Sequence, residues 1–103
     1  MSQEKTYPLG DQVRVLAIFR QPDEDGVMQI GDPDTVKFSY KAPYADDVEL
    51  VYGTDTELVR ESEGRYRVDL GADTVGRWRY KFFAEGRGKA AQKGHFKVEA
   101  DDF

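Results

Sequence analysis

The residues able to do chemistry are few and dispersed. The chain holds one histidine, His95, and no cysteine. Acyl-transfer chemistry needs a base held by a third group and aimed at a nucleophile. No Gly-x-Ser-x-Gly turn is present, and nothing marks Ser39 or Ser62 as activated. His95 therefore reads as a surface residue of a strand. Without cysteine there is neither a thiolate metal site nor a disulfide scaffold. Carboxylates are more numerous, at Asp23-Glu24-Asp25, Asp32-Pro33-Asp34 and Asp46-Asp47. A glycosidase pair must face across a cleft, and acids crowded into short turns read better as solvated loops. A helix-flanked calcium loop needs acids at positions 1, 3 and 5 and Gly at 6. Counted from Asp23, the glycine arrives too early and position 5 is Val27. A loop site using Asp46 and Asp47 is the remaining way to bind a hard cation, and no metal or cofactor is expected. Gly86-Arg87-Gly88-Lys89 lacks the spacing of a phosphate-binding loop and reads as a hairpin turn.

The 103 residues carry a net charge of −5. That balance argues against nucleic-acid binding, which wants a basic footprint. The bases gather in residues 60–97, the acids before and after them. Within the basic stretch Phe83 stands at an outward position beside Arg77, Arg79 and Lys81. A ring exposed among charges is a contact candidate, so Arg77, Arg79, Lys81 and Phe83 form the expected partner surface, suited to an acidic patch. The competing expectation is that these bases pair with Glu49, Glu85 and Glu99 on neighbouring strands.

The elements that position these residues are strands. Alternation of apolar and polar residues predicts strands over Gln12–Arg20, Thr35–Lys41, Val48–Tyr52, Leu58–Arg60, Arg65–Leu70, Arg77–Glu85 and His95–Glu99. Turn residues such as Gly26, Pro33, Gly53, Gly64 and Gly86 separate them. No helix is expected, no apolar run is long enough to cross a membrane, and Met1–Gly10 has no apolar run of the kind a secretory signal needs. The pattern predicts an all-β protein, an immunoglobulin-like antiparallel β-sandwich of about seven strands. One domain spans 1–103, with a folded core of about 7–98 and flexible tails at Met1–Lys5 and Ala100–Phe103. In that arrangement the first, second, fifth and fourth strands share one sheet, and the third, sixth and seventh the other. The outward bases Arg65 and Arg67 then lie on the opposite face of the sandwich from Arg77, Arg79 and Lys81. Trp78 is expected at the centre of the core, flanked by Tyr66, Tyr80, Phe38 and Val15.

Six short motifs are spaced along the chain. They are Gly10-Asp11-Gln12-Val13, Asp32-Pro33-Asp34-Thr35-Val36, Tyr52-Gly53, Gly64-Arg65-Tyr66, Gly76-Arg77-Trp78-Arg79-Tyr80 and Gly94-His95-Phe96-Lys97-Val98. In this order and spacing the chain resembles, over residues 7–98, the small immunoglobulin-like virion proteins of tailed bacteriophages and prophages. The resemblance implies a non-enzymatic virion structural protein, docked on the head as a decoration or accessory protein, or at the head–tail region. It implies capsid or head–tail proteins as partners, many symmetric copies on a particle, and synthesis in the host cytoplasm. It brings no catalytic, cofactor or metal-binding residue, and no nucleic-acid or membrane partner. The alternative reading is a freestanding carbohydrate- or surface-binding module, for which Phe83 and Tyr44 are the exposed rings available.

Overall fold

The computed structural model describes residues 5–86 and 90–100. Ten strands run along them: β1 Lys5–Pro8, β2 Gln12–Ile18, β3 Arg20–Pro22, β4 Met28–Ile30, β5 Thr35–Lys41, β6 Val48–Val51, β7 Leu58–Ser62, β8 Arg65–Gly71, β9 Gly76–Glu85 and β10 Ala90–Glu99. A five-stranded sheet in the order β1-β10-β9-β5-β6 faces a three-stranded sheet in the order β2-β8-β7, and β3 and β4 form a separate hairpin. The all-β sandwich is as the alternation predicts. In the clearest strand, β2, buried Val13, Val15 and Ala17 alternate with exposed Arg14, Leu16 and Ile18.

Three features differ from expectation. The strand expected over Gln12–Arg20 breaks at Phe19, whose N–H donates to the Gly64 carbonyl and whose carbonyl accepts from the Gly31 N–H. The chain then leaves through the β3–β4 hairpin. That excursion carries it from one sheet to the other, so β5 pairs with β9 and β6 and not with the sheet of β2. Aromatic pairing rewards the exchange: Phe38 lies opposite Phe82 with ring centroids 4.6 Å apart, a contact worth about 1 kcal/mol beyond its burial. Finally, Lys5–Pro8 forms a parallel edge strand on β10, so the sheet is not wholly antiparallel. Only Tyr7 among these four residues is apolar and inward, and Pro8 suits a strand end, which is why periodicity missed the strand. The expected tails fall largely outside the described residues, as does most of the turn after Gly86.

The core is made by Val13, Val15, Phe19, Phe38, Tyr66, Val68, Trp78, Phe82, Phe96, Val98 and smaller neighbours, all buried. Each such large side chain contributes roughly 1.5–3 kcal/mol. Trp78 is buried, but its company differs from expectation. It stacks on Phe96 at 5.5 Å and on Tyr40 at 6.2 Å, and its indole N–H donates to the Thr74 carbonyl at 2.9 Å. Tyr66 packs instead on Phe19 and Tyr52. Tyr80 is half-buried, and its hydroxyl lies over Gly94, in the space a Cβ there would take.

Candidate functional site

The predicted contact residues stand on the outer face of the five-stranded sheet. In β9, buried Trp78, Phe82 and Ala84 alternate with Arg77, Arg79 and Lys81, which are exposed, and with half-buried Phe83. Register then brings in residues from neighbouring strands. Lys97 lies opposite Arg77, His95 opposite Arg79, Lys93 opposite Lys81 and Ala91 opposite Phe83 on β10. On the other side Lys41 lies opposite Arg79 and Lys37 opposite Phe83. Directly opposed residues share a face of the sheet. Arg77, Arg79, Lys81, Lys93, Lys97, Lys37 and Lys41 thus make one basic field along β9, with Phe83 toward one end, on a chain that is acidic overall. Lys37, Lys41, Lys93 and Lys97 are the part that sequence reasoning missed. Lys37, Lys41 and Lys97 were legible as outward residues of their strands, whereas Lys93 precedes the expected His95–Glu99 strand and joins only because β10 begins at Ala90; assembling them requires the cross-strand register.

The nearest thing to the competing pairing is an ion pair within β10 that uses none of the three expected bases. Lys97 meets Glu99 at 3.5 Å. Among the described residues, Lys37, Arg79, Lys81 and Lys93 make no ion pair, and neither Glu49 nor Glu85 pairs with the field. Lys81 instead sets its ammonium 4.2 Å from the centre of the Phe83 ring, a cation–π contact worth about 0.5–1 kcal/mol at an exposed site. Lys41 donates to the Ala45 carbonyl at 2.7 Å.

The opposite outer face of the sandwich behaves differently. Arg67 pairs with Glu61 at 3.0 Å and Asp69 at 3.4 Å, and Arg14 with Asp69 at 2.9 Å. Arg14 and Arg67 are thus neutralised on that face, while Arg65 is exposed and makes no ion pair among the described residues. The two basic clusters are separate, as the sequence predicts, and only the β9 cluster retains several uncompensated bases.

The acidic loops are occupied by turn chemistry. The Asp23 carboxylate accepts from the N–H groups of Asp25 and Val27 and from the Gln29 amide, each at 2.9 Å. These bonds, that of Val27 foremost, hold its pKa below the ordinary carboxylate value. Asp55 accepts the Val51 N–H at 2.8 Å. Asp32 accepts from Arg60, from the Gly64 N–H at 2.8 Å and from the Tyr66 hydroxyl at 3.0 Å. Chiefly through Arg60, its pKa falls to about 2, while burial and the bond to Asp32 push Tyr66 up to about 12. Asp32 and Asp34 border a hollow of about 580 Å³. A carboxyl ionised down to that range cannot act as a general acid near neutral pH. Among the described residues, no three His, Asp or Glu side chains converge as a metal-binding group would.

The motif residues meet one another in the same corner. Asp32 joins Gly64 and Tyr66, and Tyr52 packs edge-on against Tyr66 at 5.3 Å. Gly64 has φ of 71°, and a Cβ there would collide with Ile30 and the Phe19 carbonyl, so glycine is required. Trp78 and Phe96 of two further motifs stack together. These residues hold the fold.

No protein-family model and no curated protein matches the chain. A comparison with solved structures finds a "putative glycoside hydrolase" from Bacteroides vulgatus ATCC 8482, at TM-score 0.56 and 18% identity. The match covers 96% of this chain and 17% of that one. At this identity the likeness shows the fold alone.

Proposed function

We propose that this chain is a non-enzymatic structural protein of a tailed-phage particle, docked through the basic outer face of its five-stranded sheet onto an acidic protein surface. The observation that carries the docking mode is the contrast between the two outer faces. One holds Arg14 and Arg67 on carboxylates of the same face and leaves Arg65 exposed; among the described residues the other keeps four bases, Lys37, Arg79, Lys81 and Lys93, without ion pairs on the face that carries the half-buried Phe83 ring. Such a field steers an acidic partner, and burial of the Phe83 ring slows its release. The virion setting rests on the resemblance carried by the six motifs. Many symmetric copies on a particle would turn modest affinity at each site into durable attachment.

The chemistry of the carboxylates supports a binding role. Asp23, Asp32 and Asp55 are engaged by backbone and arginine donors. The glycan-binding alternative calls for several rings open on one face. Tyr44 is 99% exposed, but it sits on a loop, whereas Phe83 lies beneath Lys81. The test is mass spectrometry of purified particles of the phage or prophage that encodes the chain. Its presence at a fixed ratio to the major capsid or tail protein is the expected result. Its absence from the particles, with binding to immobilised glycans, would overturn the proposal.

A further inference from the structure

Tyr44 combines two properties that a turn residue of a small sandwich has little reason to combine. It is 99% exposed, more than any other large apolar side chain among the described residues. It also holds φ of 62°, in the left-handed region, and among the described residues it is the single non-glycine to do so. The Ala45 N–H donates to the Ala42 carbonyl at 3.3 Å, so Ala42–Ala45 closes a turn with Pro43 and Tyr44 at its two corners. Proline fits the first corner by its ring-fixed φ, whereas a positive φ at the second calls for glycine or asparagine. Tyrosine there strains the backbone, and a ring this exposed gains no packing in return. Local choices that oppose the fold concentrate at functional sites.

The turn is braced from two sides. The Lys41 ammonium donates to the Ala45 carbonyl at 2.7 Å. The Pro43 ring fills the space over Gly76, where a Cβ would lie 2.7 Å from it. A ring presented from a braced turn loses little freedom on binding. Beside the turn, Lys41, Pro43, Arg77 and Arg79 line a hollow of about 230 Å³, so turn and basic field are continuous. Lys41 and Arg79 make no ion pair among the described residues. Asp46 and Asp47 follow on the other limb, which leads into β6.

We propose that Tyr44 is an anchor of the docking surface: its ring enters an apolar socket on the acidic partner protein, whose carboxylates flank that socket on the side facing Lys41 and Arg79. The inference rests on the docking reading above and names what the partner must offer. Tyrosine suits the part, because two side-chain torsions fix a large ring and its hydroxyl keeps the exposed tip wet until it binds. Burial of such a ring at the centre of a contact is where binding energy concentrates. Asp46 and Asp47 repel carboxylates on the β6 side of the turn. The partner's acids are thereby confined to the β9 side, and the orientation of docking is set by repulsion as well as attraction.

The test measures attachment of the full chain to particles that lack it, together with thermal unfolding. Tyr44→Asn removes the ring and places at the corner a residue that tolerates the left-handed region. Attachment about tenfold weaker is expected, as loss of an anchor ring implies, with a melting temperature equal to the parent's or above it. Leu16→Ala trims an exposed apolar residue of the other sheet and should leave attachment unchanged. Parental attachment by Tyr44→Asn would overturn the inference and leave the docking reading standing. An equal loss with Leu16→Ala would also overturn it, by making the effect one of general stickiness. So would a fall in melting temperature with Tyr44→Asn, which would give the ring a role in the fold. A parent that does not attach to such particles would overturn the docking reading, and the anchor with it.

Discussion

The Tyr66 hydroxyl donates to Asp32 Oδ1 at 3.0 Å across 34 residues of chain. The same oxygen accepts the Gly64 N–H at 2.8 Å, and Arg60 grips the carboxylate from the solvent side. One carboxylate therefore ties the loop entering β5 to the β7–β8 hairpin, joining the five-stranded sheet to the three-stranded one. Two of the sequence motifs, Asp32-Pro33 and Gly64-x-Tyr66, are the two halves of this lock.

Asp32→Ala is expected to cost about 2–4 kcal/mol, because it strands a buried hydroxyl and a backbone N–H as well as losing a charged pair. Asp32→Asn keeps an acceptor and should cost clearly less. Urea unfolding of both variants measures the difference, and equal losses would mean that the charge alone matters.

The pH dependence follows from the same group. Its pKa is lower in the folded chain, about 2, than its ordinary value of 3.8. The stabilisation is therefore fully present above pH 4 and is lost as pH falls from about 4 toward 2. The Asp32 side chain is 36% exposed, so solvent screening reduces the effect to the order of 1 kcal/mol. Thermal unfolding between pH 6 and pH 2 should show a smaller acid-induced loss for Asp32→Asn than for the parent. Parallel losses would remove Asp32 from the account.

Trp78→Ala should cost about 3–5 kcal/mol, as large-to-small changes of buried aromatics do. It deletes the stack on Phe96 and the Thr74 hydrogen bond together. Chemical denaturation checks it, and near-parental stability would contradict the core described above.

A chelator should leave the melting temperature unchanged. The aspartates at Asp23, Asp32 and Asp55 have donors of their own. A drop of several degrees on adding chelator would instead point to a cation held in the Asp46–Asp47 loop.

Much of this architecture could be read from residue order. Val13, Val15 and Ala17, or Tyr66, Val68 and Leu70, announce inward faces by period two alone, and all six are buried. What alternation cannot carry is partnership. Thr35–Lys41 has the same inward Val and Phe whichever sheet it joins, and its place beside β9 depends on the β3–β4 excursion. That hairpin was hidden because Arg20-Gln21-Pro22 has no apolar alternation and its partner Met28–Ile30 is only three residues long. The candidate surface divides in the same way. Arg77, Arg79, Lys81 and Phe83 are neighbours in one strand and visible as such. Lys37 and Lys93 join them through hydrogen-bonded register, a property of strand pairs that no single strand contains.

The central claim is that the chain docks through the outer face of β9 and its neighbours. It is tested most directly by titrating the parent and the Arg79→Glu variant onto particles that lack the protein, over a range of salt concentrations. Arg79 is exposed and makes no ion pair among the described residues, so its reversal leaves the fold intact. The account predicts parental binding that weakens as salt rises, and a variant bound about tenfold more weakly, or ~1.4 kcal/mol, with a flatter salt dependence. Equal affinity and equal salt dependence for the two proteins would contradict it.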